Sequence, residues 1–188
     1  MSRAFVSESD GLDSEQLPEF HVLLPPGSRN YMTAEGAGRL KSELDVLVSI
    51  ERAAVLTTIK KLGAEGNESG AQKQAQFDLL VLDRKIEYLT RLASTMEIVE
   101  TRALNTDTAG FGAWVTVQDR TGGQKTYRIV GAYESDPDEG TISRLSPLAK
   151  ALIGKRAGDR IDVKLPEGNI ELVVTSVSYA PVGNEAGT

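Results

Sequence analysis

The sequence predicts an α+β fold: an antiparallel helical hairpin followed by a mainly antiparallel β domain that carries one short helix. Three observations predict it. Between Leu40 and Met96, apolar residues recur at threes and fours on both sides of a glycine-rich break. After Thr101 the apolar period falls to two. Among those strands one segment, Ser146-Pro147 to Gly154, carries the end signals of a short helix.

Residues 1–30 show no sustained period, and Pro18, Pro25, Pro26 and Gly27 interrupt the apolar stretch Val22 to Leu24. They predict an extended or partly disordered arm, either a leader with no specific role or a packing or docking segment. Thr33 then suits the N-cap of a helix, with Glu35 in the first turn where the helix dipole favours a carboxylate. Leu40, Leu44, Leu47, Ile50, Ala54, Val55, Ile59 and Leu62 supply its stripe. Gly63, Gly66, Asn67, Ser69 and Gly70 place the tip at 63–71, and Leu79, Leu82, Ile86, Leu89, Ala93 and Met96 supply the stripe of a second helix. The hairpin is expected over 31–101, with a first helix roughly 42 Å long at 1.5 Å per residue.

The β domain is expected over 102–180, with a flexible tail at 181–188. Alternation around Trp114–Val117, Tyr127–Val130, Ile161–Leu165 and Ile170–Val174 predicts strands. Thr121-Gly122-Gly123, Asp136-Pro137-Asp138 and Pro166-Glu167-Gly168-Asn169 predict the turns between them. Ser146 as N-cap, Pro147 at the first helical position and Gly154 beyond the end predict the short helix.

Composition narrows the function. The 188 residues contain no cysteine and one histidine. A disulfide scaffold, a cysteine-ligated metal and a thiol nucleophile are thereby excluded. His21, alone in the arm, is read as neither ligand nor base. No apolar run approaches the ~20 residues of a membrane span, so no membrane partner and a cytoplasmic location are expected. The net charge of −6 is spread without a basic tail, which disfavours direct electrostatic capture of DNA. Trp114, Tyr127 and Tyr133 read as packing aromatics. Ser146 has no neighbouring His or Cys to activate it.

The segment TYRIVGAYESDPDEGTISRLSPLAKALIGKRAGDRIDVKLPEG carries the most specific signal. T-Y-x-I-V-G, I-S-x-x-S-P-L-A, A-L-x-G-K and G-D-x-x-x-V-x-x-P-x-G follow one another as they do in bacterial GreA/GreB transcript cleavage factors, which this run resembles. Tyr31-Met32-Thr33, Gly36, Leu40 and Glu43-Leu44 resemble the start of that family's amino-terminal hairpin, so the resemblance spans about 31–180. It implies an FKBP-like carboxyl-terminal domain that binds RNA polymerase, and a hairpin that enters the polymerase secondary channel. It implies no isomerase activity, because a fold does not carry one. The factor would not be an enzyme but at most an activator of the polymerase's own RNA cleavage. Nascent RNA and DNA would be reached only through the polymerase complex. The implied docking residues are Ile142, Ser143, Ser146, Pro147 and Leu148.

The family's tip reads approximately G-D-x-x-E-N-x-E-Y, and its acids help hold a second Mg²⁺ at the polymerase active site. Here the stretch is Gly66-Asn67-Glu68-Ser69-Gly70, about two residues shorter, with Asn67 at the position of the acid. The tip candidates are Glu65, Asn67 and Glu68, of which Glu65 and Glu68 are either ordinary solvated turn carboxylates or ligands to a shared Mg²⁺. No cofactor bound by the chain alone is expected. Two functions stay open: an elongation factor that stimulates cleavage of backtracked RNA, and a binding-only regulator or inhibitor that occupies the secondary channel.

Overall fold

The computed structural model describes residues 18–20, 24–25, 27–64, 70–101, 106–165 and 168–180. They form two compact units: 18–20 with 42–64 and 70–91, and 24–25 and 27–41 with 92–101 and the β domain. His21 and the tip residues Glu65, Asn67 and Glu68 lie outside the described residues, as does the tail from 181.

A short strand, β1 (Asn30–Thr33), leads directly into α1 (Ala34–Val46). Thr33 Oγ1 accepts a hydrogen bond from Gly36 N at 3.0 Å, the N-cap its position predicts. The helix does not run on regularly. Leu47–Glu51 form a π-helical turn, in which Arg52 N–H reaches back to Leu47 O, before α2 (Arg52–Ala64). The chain returns as α3 (Gly70–Thr95).

The antiparallel pairing of these helices is marked by the Lys85–Glu43 contact at 2.8 Å and the Arg52–Asp83 contact at 2.7 Å. Leu47, Ala75, Leu82 and Leu89 are buried, while Leu44, Val55, Ile59 and Leu62 are half-buried. Two residues expected in the seam are not there: Ile50 is 63% exposed and Ala54 is exposed. The π turn adds one residue to the helical winding, so the stripe jumps from Leu47 to Val55 and turns Ile50 and Ala54 outward. Of the arm, Pro18 borders an open cleft of about 520 Å³ beside the π turn, lined also by Leu47, Glu51, Val55, Phe77 and Val81. Phe20 stacks on Tyr88 with ring centroids 6.0 Å apart.

Met96 ends no helix; it opens β2 (Met96–Val99), which pairs in parallel with β1 from Asn30↔Met96 to Thr33↔Val99. Both strands belong to the β unit. The main sheet has the order β5-β4-β3-β7-β6. Its strands are β3 (Trp114–Asp119), β4 (Gln124–Val130), β5 (Thr141–Ser143), β6 (Arg160–Leu165) and β7 (Gly168–Ser178). All pairings are antiparallel except β4–β5. Alternate residues Val115, Val117, Ile129, Ile161, Val163, Leu172 and Val174 bury one face of this sheet with Ala149 and Leu152 of α4 (Pro147–Leu152). Gly154, at φ +85°, leaves the helix by a left-handed turn that disfavours side chains. Trp114 lies on the other face, half-buried beneath the Arg128 guanidinium, 5.3 Å from the ring centroid.

Candidate docking site

The turn before α4 is held at every residue. Ser143 N donates to Ser135 Oγ at 3.1 Å, and Arg144 N to Val130 O at 2.9 Å. Leu145 N donates to Ser143 Oγ at 3.2 Å, and Ser146 N to Ser143 O at 2.9 Å. Ser146 Oγ then accepts from Ala149 N at 3.1 Å, while Pro147 occupies the first turn without a donor to satisfy. Both serines therefore spend their hydroxyls on shaping the turn. Ile142 is 8% exposed and sits in the core of the sheet. Leu148 is half-buried and packs on that core, and Pro147 stands exposed at the surface. A surface so fixed loses little conformational freedom when a partner covers it.

Arg144, which the sequence did not single out, ties this turn to the strands at the base of the hairpin. Its guanidinium lies 4.7 Å from the centroid of the Tyr31 ring, and Nη2 donates to Arg29 O at 2.8 Å. Arg29 in turn pairs with Glu97 at 3.2 Å, and that carboxylate raises the Arg29 guanidinium above its ordinary value. Tyr31 also meets Phe111 edge-on at 6.0 Å.

A second tie is internal. Glu134 is 7% exposed and its carboxylate accepts from Thr33 N at 3.0 Å, Gly131 N at 3.1 Å and the Thr33 hydroxyl. A buried carboxylate needs such donors to replace lost water. Space for it comes from two glycines: a Cβ on Gly36 would lie 2.0 Å from Glu134 Oε1, and one on Gly131 would lie 2.2 Å from Tyr31 O. Glu35, in the first turn of α1, contacts Arg128 of β4 at 2.5 Å. The start of the first hairpin helix is thus locked to the β unit by two acids reaching in opposite directions. In sequence Glu134 reads as one more turn carboxylate; the paired glycines Gly36 and Gly131 were its only signal.

No group of three or more His, Asp or Glu side chains suited to a metal gathers among the described residues. No helix among them is long and apolar enough to cross a membrane.

The family model described as "Transcription elongation factor, N-terminal" matches residues 30–98, and that described as "Transcription elongation factor, GreA/GreB, C-term" matches 104–179. The transcription elongation factor GreB of Xanthomonas axonopodis is 37% identical over 83% of this chain and 96% of its own length. The GreA of Rhodospirillum rubrum is 39% identical over 79% of this chain and 96% of its own. Among solved structures, GreA factor homolog 1 of Thermus thermophilus aligns over 80% of this chain and 99% of that one, at TM-score 0.38 and 22% identity. The first model ends within β2 and the second just past β7, and relatives of both named types align over nearly their whole length, so the chain belongs to the GreA/GreB family of transcription elongation factors.

Proposed function

We propose that this elongation factor docks on RNA polymerase through its β domain and presents the hairpin to the polymerase secondary channel, where it promotes cleavage of backtracked RNA by the polymerase itself. What carries the reading is the turn before α4: four consecutive residues, Ser143 to Ser146, held by backbone and hydroxyl hydrogen bonds, with Pro147 exposed beside them. Docking there leaves the hairpin unused for affinity and available for reach. Nucleic acid enters the scheme only as part of the polymerase complex. The tip carboxylates Glu65 and Glu68 are proposed to add negative charge beside a Mg²⁺ shared with the polymerase, since a hard cation takes carboxylate and water oxygens.

The test is RNA release from a stalled, backtracked polymerase complex with and without the protein. Cleavage that is stimulated by the chain and lost in the Glu65→Gln, Glu68→Gln variant, with polymerase binding unchanged, is the expected result. Binding without cleavage, with cleavage appearing only in Asn67→Asp, would assign the chain instead to channel occupancy with a disarmed tip. No binding at all would remove the docking proposal itself.

A further inference from the structure

We propose that the hairpin has two registers: the π register described above, held by the Arg52–Asp83 pair, and an all-α register in which Ile50 and Ala54 turn into the seam. Four observations converge on it. The π turn is a costly winding, and single π turns inside α-helices commonly mark functional positions. Next to it lies an open cleft of about 520 Å³, with the apolar residues Leu47, Val55, Phe77 and Val81 and the charged Glu51 and Lys85 in its walls. Apolar walls open to water gain when neighbouring side chains cover them. The residues able to cover them are at hand, since Ile50 and Ala54 follow Leu47 at three and seven positions, the spacing of a regular seam, yet both stand exposed.

The fourth observation is what opposes the all-α register. Continued without the π turn, the stripe beyond Ala54 would fall on Thr57, Thr58 and Lys61 in place of Val55, Ile59 and Leu62. The two registers therefore trade one part of the seam for another. The π register keeps Val55, Ile59 and Leu62 half-buried on the seam and leaves Ile50 and Ala54 in water; the all-α register covers those two and turns the α2 stripe outward before the tip. Arg52 selects between them. Its Nε lies 2.7 Å from Asp83 Oδ1 and its Nη2 lies 3.4 Å from Oδ2, a two-point contact made in the π register. A hairpin built so has its distal zipping governed by one ion pair near its middle.

The chain contains no cysteine, so single thiols report the register cleanly. Ile50→Cys and Val55→Cys are each made in the full chain, alone and with Asp83→Asn, and their thiol-labelling rates are compared. Loss of the ion pair should speed labelling at position 55 and slow it at position 50, each by about two- to fivefold. Both sites speeding together would mean simple fraying, and neither changing would mean a single register; either result overturns the proposal. Deleting Ser49 supplies the second arm, because one residue fewer brings both halves of the seam into phase without a π turn. In that background Asp83→Asn should leave labelling at Val55→Cys unchanged. A response equal to that of the full-length chain would show that the ion pair acts on local packing only, and would equally overturn it.

Discussion

Glu134 shows how much one side chain contributes when its surroundings are built for it. Three donors converge on its carboxylate from the cap of α1 and from the turn after β4. Glu134→Ala leaves Thr33 N and Gly131 N without their acceptor in a buried site, so the substitution should destabilise the β unit by about 1–3 kcal/mol in chemical denaturation. Gly36→Ala should cost about 1–3 kcal/mol, because its Cβ would meet Glu134 Oε1 at 2.0 Å. The two effects are coupled. In a Glu134→Ala background the same Gly36→Ala change should be nearly harmless, and a double-mutant cycle measures the difference. Ser146→Ala removes the cap bond to Ala149 N and should cost about 0.5–2 kcal/mol, read as a lower melting temperature.

Elements differ in how openly they announce themselves. Replacing Leu47 or Leu89, 3% and 2% exposed, by Ala should cost about 2–5 kcal/mol. Hydrogen exchange should quicken within 42–91 and stay slow in the main sheet, since each belongs to its own compact unit. The turn between β3 and β4 yields a pH prediction. Asp119 accepts from the Thr121 hydroxyl at 2.6 Å, and then from Gly123 N and Thr121 N, which holds its carboxyl below the ordinary 3.8. A lowered folded value means the turn's stabilisation is complete above the unfolded carboxylate's range and is lost as pH falls through the folded value. A carbon-detected titration of Asp119 should show its midpoint below that of a free aspartate. The helix α4 was legible because Ser146, Pro147 and Gly154 act through the residues next to them. The hairpin was legible because its period is long. The π turn was not, since Ile50 and Ala54 satisfy a regular period as well as Val55 does, and only packing against α3 decides. Nor was the β1–β2 pair, four residues to a strand and joined across most of the hairpin. The turn proposed for docking was singled out by its motif, but that Ile142 is buried and that Arg144 secures the turn to Tyr31 are facts of packing.

For the whole molecule, the proposed division of labour predicts that binding and action separate. Pro147→Asp keeps a residue suited to the first turn of α4, so the fold should persist, while an added charge at the exposed end of the docking turn should weaken polymerase binding at least about tenfold in a competition assay. The seam variant Leu89→Ala should do the reverse, binding normally and acting poorly. The parallel β1–β2 pair has its own consequence. The chain departs for the hairpin from Thr33 and comes back at Met96, and these points are stapled by the strand pairing and by Asn30 Nδ2 donating to Leu92 O at 3.1 Å. Matched insertions or deletions in the two helices leave that staple, and everything beyond it in the β unit, unaltered. Each seven residues added to both helices would change the length by roughly 10 Å. If the hairpin reaches into the partner as proposed, evolution is thereby free to tailor its depth in whole increments, without renegotiating the proposed docking surface.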